Sequence, residues 1–399
     1  MQKAAGALDG VRVLDFTGVI AGPFGTRLMA DLGAEVVKVE PPIGDLLRGA
    51  PPRRGGRSPY FGQINCGKKS ISVDLKHPKS KSLILSLVKK SDVVVQNFRP
   101  GVMAGLGLAY SDLRKHKADL IYCSISGYGQ EGPSSHRPAF APIIHAASGY
   151  DLAIMSYQDN LDKPLNGANA TADYLAASLA MGAISAALLK REKTGQGDEI
   201  DIAMTEVIQN ILAYEIQELQ FKAERQRPNY GPVRTKDGYI IVNPISPNNF
   251  KDLALAVGHP EWLDEFPLNT TDRLKNWTRL MNELEKWTVQ HTSLEAEKII
   301  QDGGCPCSRY RDVWDSMHDA QVEARRGVVE IDDGAGPYLI PNTPVRLMNS
   351  EAEPKRFVPA LGADNAAVLQ QWLGLDEAEI KQLSESGVLF EKTEKRRAE

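Results

Sequence analysis

Short apolar runs, each closed by glycine or proline and followed by a helical pattern, recur through the first half of this chain. VRVLDF at residues 11–16 leads into a glycine-punctuated turn at 18–25, and then into helical spacing through Leu28, Met29 and Leu32. GAEVVKVE supplies a second run over residues 35–39, SDVVVQNF a third over 93–95 and LIYCSISGYG a fourth over 120–125, with a helical stretch at 79–90. Runs that are apolar at successive positions suit strands covered on both faces, and strands alternating with helices make a parallel sheet. The first half therefore predicts an α/β fold.

Further along, a helix from Thr171 to about Glu192 is closed by TGQG; a strand, EIDIAM, and a long helix over residues 206–222 follow. The charged, Pro- and Gly-broken stretch KAERQRPNYGP at 222–232 reads as a linker. Beyond it DGYIIVNP reads as a strand, and residues 248–257, 272–290 and 293–302 read as helices of a second, smaller unit. From Val328 the pattern returns to strand and turn in GVVEIDD, GPYLIPN and PVRLM, then to helices at 366–373 and 376–384 and a frayed charged tail. The expected divisions are 1–222, 223–327 and 328–399.

Charge narrows the function. Lys plus Arg number 47 against 51 Asp plus Glu, a formal charge of -4, so no basic field is available to hold nucleic acid. Four cysteines are too few for a disulfide scaffold, which fits a reducing cytoplasm. Cys305 and Cys307 lack nearby soft partners, and the seven histidines are scattered, so no metal site is expected. Asp9 and Asp15 interrupt any signal-peptide pattern, and the uncharged stretch at 174–189 falls short of the ~20 residues that span a bilayer. No membrane span is expected.

Three features point to chemistry. In TGVIAGPFG, residues 17–25, a glycine turn joins strand to helix, where backbone N–H groups can approach an anion. Glycines at 18, 22 and 25 do not make the dinucleotide fingerprint, although Glu40 mimics its ribose-binding acid, so a NAD dehydrogenase is disfavoured. Asp173 lies in the first turn of a helix that Thr171 can cap, where the helix dipole favours an ionised carboxylate. Ala176, Ala177, Ala180 and Gly182 make that helix narrow enough to lie deep against the sheet, partly burying the charge. Finally, Lys68, Lys69, Lys76, Asn97 and Arg99 fall at strand ends, where a parallel sheet opens its ligand crevice, and together suggest a phosphate-bearing small ligand such as a nucleotide or coenzyme.

The motifs LDGVRVLDFTGVIAGPFGTRLMADLGAEVVKVEPP, NCGKKSISVDLK, QNFRPGVMAGLGL, LIYCSISGYGQEGP, TADYLAAS, REKTGQGDEIDIAM, PNTPVRLM and PALGADN occur in one order over nearly the whole chain. Together they resemble the class III CoA-transferases, the formyl-CoA and carnitine CoA-transferase type. The resemblance implies an interlocked homodimer, each subunit with a Rossmann-like large domain built from both chain ends and a smaller α+β domain between. It implies an acyl-CoA donor and a carboxylic acid acceptor as substrates, and no tightly bound cofactor. Asp173 matches the family's catalytic aspartate, which passes through a mixed anhydride and an aspartyl-CoA thioester. Ile20, Ala21, Val73, Asp74, Leu75, Lys76, Asn97, Phe98, Arg99 and Phe140 match its CoA-binding positions.

A related branch, the 2-methylacyl-CoA racemases, carries a histidine base where this chain has Phe140. His145, five residues on, reads as a core or loop histidine, so racemisation by two bases lacks one of them. A CoA-binding protein without catalysis is a further alternative. Two departures change what the resemblance implies. Pro41 and Gly105 replace arginines that grip CoA phosphates in relatives, which assigns that work to Lys38, Arg48, Lys68 or Lys69. The glycine run that covers the intermediate in formyl-CoA transferase is missing, which counts against oxalate; Arg225, Arg227 and Arg234 suit the second carboxylate of a dicarboxylate, with succinyl-CoA as donor.

Overall fold

Six strands, β1 (Arg12–Asp15), β2 (Glu35–Glu40), β3 (Lys69–Ser72), β4 (Val93–Gln96), β5 (Ile121–Ser126) and β6 (Asp198–Ala203), form one parallel sheet in the order β3-β2-β1-β4-β5-β6. The computed structural model describes residues 5–158, 161–165, 167–221, 230–268 and 272–391. Val13 pairs with Val36 on one side and Val93 on the other, so the apolar runs stack side by side at the centre of the sheet. The strand order reverses between β1 and β4, and in such sheets the ligand crevice opens beyond the carboxyl ends of those two strands. Both ends carry residues singled out above, the turn after β1 and Asn97 to Arg99 after β4.

Helices α1 (Ala21–Asp31), α2 (Pro59–Asn65) and α3 (Ser80–Val88) belong to this half. α3 buries Leu83, Ile84, Leu87 and Val88, a helical spacing, in the same cluster as Leu14, Val37, Ile71 and Val94. The end of the chain joins that cluster through Val368, Leu369, Trp372 and Val388. It also closes the outer strand: Ser72 donates its backbone N–H to the Asn365 side chain at 3.0 Å, and Phe390 donates to the Ser72 carbonyl at 3.0 Å. An otherwise bare strand edge is thus covered.

Helices α4 (Ala141–Ala147), α5 (Thr171–Thr194) and α6 (Met204–Ile211) complete the site-bearing part. By length and composition α5 could cross a membrane, but its face of Ala172, Ala176, Ala177, Ala180 and Ile184 is buried against α1 and the sheet. A Cβ on Gly25 of α1 would come within 2.7 Å of the Ala177 carbonyl, so glycine there permits the close crossing.

The chain divides into two compact units, Met1–Ala213 with Ala324–Glu399, and Tyr214–Glu323. The second unit has a small antiparallel sheet of Val233–Arg234, Tyr239–Val242 and Cys307–Arg309, and buries Ile240, Phe250, Leu253, Trp262, Leu280 and Ile300 among its helices. Three expected elements differ. The turn expected over 18–25 ends at Ile20, because α1 already includes Gly22, Pro23 and Gly25, packed closely against their neighbours. The single helix at 206–222 is two, Met204–Ile211 and Ala213–Gln220, because the Leu212 backbone leaves helical geometry at ψ 35°. PVRLM is not a strand: GVVEIDD and GPYLIPN pair with each other as Val328–Asp332 and Pro337–Pro341, and Pro344 has no N–H to extend a ladder. Most of the expected linker, residues 222–229, and the tail, 392–399, lie outside the described residues.

Candidate active site

The turn after β1 is built on buried charge. Asp15, at the end of the strand, receives the hydroxyls of Thr17 and Thr26 and the ammonium of Lys68 at 3.0 Å. Lys68 is fully buried and also donates to Pro23 O, Thr26 Oγ1 and Asn65 Oδ1 at 2.8–2.9 Å. Burial alone would raise the Asp15 carboxyl, but Lys68, Lys38 and the two hydroxyls outweigh it and bring it down to about 2. Burial costs the Lys68 ammonium more than Asp15 returns, and its pKa falls to about 8, still charged at neutral pH. Above this network Asn97 brackets Gly18, accepting its N–H and donating to its carbonyl, each at 2.8 Å. α1 begins three residues later.

Asp173 faces that helix start. It is 8% exposed and lies in a cavity of about 290 Å³ with Gly18, Val19, Ala21, Asn97, Phe98 and Phe140 among its walls. Burial lifts its carboxyl to about 6, against the opposing hydrogen bonds from the backbone N–H groups of Ala21, Asp173 itself and Ala141. These donors come from the first turns of α1, α5 and α4, so three chain segments converge on one carboxylate. At pH 7 it is mostly ionised, as its place in the helix predicts, although burial makes it a weaker acid than the dipole alone would. Tyr174 and Tyr60, hydrogen-bonded to each other, both feel the Asp173 charge.

Thr171 does not cap α5. It is the first helical residue, and the cap position is Ala170, which offers no side-chain acceptor. His145 supplies one from α4: its Nε2 accepts the Ala172 N–H at 3.1 Å, which places the proton on Nδ1. The ring is buried, and burial lowers its pKa, which keeps it neutral. Sequence reasoning found the burial and missed the cap, because the two groups are 27 residues apart.

Of the candidate CoA contacts, Ala21, Asn97, Phe98 and Phe140 line the Asp173 cavity, with Phe140 60% exposed. Ile20 is buried beside it as the cap residue of α1. Val73, Asp74, Leu75 and Lys76 follow β3 at the same carboxyl edge of the sheet, outside the cavity walls, as does exposed Arg99 after β4. The cations proposed to replace the missing arginines are otherwise engaged. Lys38 is fully buried on Asp45 at 2.9 Å, Lys69 pairs with Glu35 at 2.6 Å, and Arg48 holds Glu40 through two hydrogen bonds of 2.6 and 2.7 Å. Each charge needs a partner to be buried, and each found one within the fold. The pairing also occupies Glu40, the residue that mimics a ribose-binding acid in the sequence. Arg234 is exposed in the second unit, and Arg225 and Arg227 lie outside the described residues. Cys305 and Cys307 belong to the core of that unit, where burial pushes both thiols up to about 12 and keeps them protonated.

Comparison with known proteins agrees in extent with these motifs. Residues 8–365 match the family described as CoA-transferase family III. The succinyl-CoA:glutarate CoA-transferase of Mus musculus is 34% identical, with 96% of this chain and 90% of that protein covered. The acetyl-CoA:oxalate CoA-transferase of Acetobacter aceti is 31% identical over 93% of this chain and 97% of its own length. Among solved structures, a mutant of Rv3272 from Mycobacterium tuberculosis superposes with a TM-score of 0.82 at 30% identity, covering 92% of this chain and 99% of that one. A CAIB/BAIF family protein from Brucella suis gives 0.79 at 30% identity, covering 92% and 100%.

Proposed function

This chain belongs to CoA-transferase family III, and we propose that it moves CoA from an acyl-CoA donor to a free carboxylic acid with Asp173 as nucleophile. One observation carries the reading: the Asp173 carboxylate lies largely out of water in a cavity at the carboxyl edge of the sheet, where three helix first turns bring backbone N–H groups toward it. A carboxylate freed of most of its water is a better nucleophile, and N–H groups aimed at it can also hold negative charge that develops on its carbonyl oxygen.

In this mechanism an Asp173 oxygen attacks the thioester carbonyl, the C–S bond breaks, and CoA leaves as thiolate from a mixed anhydride. The thiolate attacks the aspartyl carbonyl of that anhydride, releasing the donor's acid and leaving an aspartyl-CoA thioester. The acceptor carboxylate then attacks the aspartyl carbonyl and expels CoA, forming a second anhydride. CoA returns to the acceptor's acyl carbon, and the carboxylate of Asp173 is restored. Each step exchanges one activated acyl group for another, so no external energy source or proton is required. Ala21, by its N–H, and Asn97, by holding Gly18, shape the cavity; Ile20, Phe98 and Phe140 surround it, while Val73, Asp74, Leu75, Lys76 and Arg99 receive the remainder of CoA along the sheet edge.

Racemisation is the weaker reading. Phe140 cannot take a proton, and the lone pair of His145 Nε2 already accepts the Ala172 N–H. The relatives named for succinyl-CoA and glutarate make this pair the first to try. The subunit is proposed to interlock with a second copy, for which exposed Leu179 and Leu189 on α5 provide apolar surface.

The test is mass spectrometry of intact protein mixed with succinyl-CoA or acetyl-CoA and quenched with hydroxylamine, for wild type and Asp173→Asn. The expected result is a hydroxamate on Asp173 in the wild type alone. No adduct with any donor, together with deuterium exchange at the alpha carbon of a 2-methylacyl-CoA, would overturn the transferase reading in favour of the racemase.

A further inference from the structure

Val19 has a backbone φ of +66°, in the left-handed region. A branched β-carbon is crowded there, and such a conformation persists only where its surroundings hold it. Three groups do so. Asp45 accepts the Val19 N–H, with its two oxygens at 3.2 and 3.4 Å. Asn97 fixes Gly18, the preceding residue, from both sides. Lys38 reaches both ends of the arrangement, 2.9 Å from Asp45 and donating to the Thr17 carbonyl at 2.6 Å. The Asp45 carboxylate also accepts the Leu47 N–H at 2.9 Å, and the Asp45 N–H is fixed by Glu40 at 3.1 Å, so the clamp is itself braced.

Val19 and Ala21 line the cavity that holds Asp173, whereas Asp45 does not. Between them Ile20, in a non-helical conformation, turns the chain into α1, whose first N–H reaches Asp173. We propose that Asp45 is a positioning residue of the reaction: it holds Val19 left-handed and so aims the Ala21 N–H at the Asp173 carboxylate. The inference rests on Asp173 as nucleophile. Without the clamp Val19 relaxes to an ordinary conformation, α1 starts at another angle, and a displaced donor of this kind typically costs ~10²-fold in rate. Acyl-CoA binding, spread over the long sheet edge, is little changed.

The experiment compares CoA exchange by wild type, Asp45→Asn, Val19→Gly and the double variant. Asparagine keeps the shape of Asp45 but loses the charge that holds Lys38 and sets an amide NH2, a donor, in place of one of the two oxygens that face the Val19 N–H. Glycine accepts φ of +66° without a clamp. The expected result is a fall in kcat of ~30- to 100-fold for Asp45→Asn with KM for acyl-CoA changed less than about threefold, following the cost of misplaced groups. Val19→Gly, which also takes a side chain out of the cavity wall, sets its own reference rate, and the double variant stays within about threefold of that rate, because a residue free to be left-handed needs no clamp. An Asp45→Asn rate equal to wild type, or a loss that persists undiminished in the double variant, overturns the proposal. If Asp45→Asn alone does not fold, the double variant against Val19→Gly decides it: equal rates support the clamp and a lower rate in the double variant overturns it. A wild type without exchange activity would instead sink the reading of Asp173 as nucleophile.

Discussion

Two buried carboxylates at the same edge of the sheet have opposite characters. Asp15 ends β1 against Lys68 and two hydroxyls, and its pKa falls to about 2; Asp173 opens α5 against backbone N–H groups alone, and its pKa rises to about 6. Burial penalises both. The difference is the counter-charge: a buried ammonium held next to Asp15 neutralises it, whereas peptide dipoles only moderate the cost at Asp173. A neutralised carboxylate is a poor nucleophile and a good cross-link. A carboxylate without a counter-charge keeps its electron pair available for attack.

The largest effect expected from breaking this contrast is at Asp173. Asp173→Asn should reduce CoA exchange at least ~10⁴-fold, the scale on which removal of a covalent nucleophile acts, while the protein still folds. Asp15→Asn should do the reverse in kind. It leaves the Lys68 ammonium buried without its carboxylate, a loss of about 3–5 kcal/mol readable as a lower urea midpoint. If Asp173→Asn unfolded the protein and Asp15→Asn only slowed it, the roles assigned here would be exchanged.

Acidity separates the two carboxylates next. Because the proposed attack needs Asp173 ionised, kcat/KM should fall about tenfold per pH unit below about 6. Its effect on stability has the other sign. The folded-state pKa of about 6 lies above the ordinary 3.8, so the folded protein binds more protons between those values. Wild type should therefore gain on Asp173→Asn as pH falls from 7 to 4, by up to about 3 kcal/mol for two units. Asp15, depressed to about 2, contributes stability above pH 3.8 that is lost as pH falls toward 2. Denaturant titrations of wild type and Asp173→Asn across pH 4 to 7 check the difference, and a constant gap between them would contradict a raised pKa at Asp173.

The same contrast explains what could be read from the sequence. Successive apolar residues in VRVLDF, GAEVVKVE and SDVVVQNF require burial on both faces, and with helices between the strands the parallel sheet follows. The place of Asp173 was legible too, since a first-turn carboxylate followed by small residues needs only local sequence to be noticed. Lys38 and Lys68 were misread as ligand-facing because a lysine's usual place is the surface, and their burial depends on partners elsewhere in the chain. Lys68 meets Asp15 across 53 residues, a pairing that no local pattern encodes.

His145 gives the smallest of these effects and the most specific one. Its Nε2 accepts the Ala172 N–H, one residue before Asp173, so the ring holds the first turn that carries the proposed nucleophile. His145→Leu leaves that N–H without its partner and should cost about 1–2 kcal/mol in stability, with a several-fold lower kcat as the turn frays. His145→Gln offers an amide oxygen in its place and should recover most of both. Burial holds the His145 pKa below the ordinary 6.5, so the folded state takes up fewer protons than the unfolded chain as pH drops through 6.5. The stability that wild type owes to the neutral ring is therefore present above pH 6.5 and lost below it, whereas His145→Gln has no such group to titrate. The gap between them should narrow as acid is added from pH 7 to 5, and a gap that widens would mean that the ring is protonated in the folded protein and holds α5 in some other way.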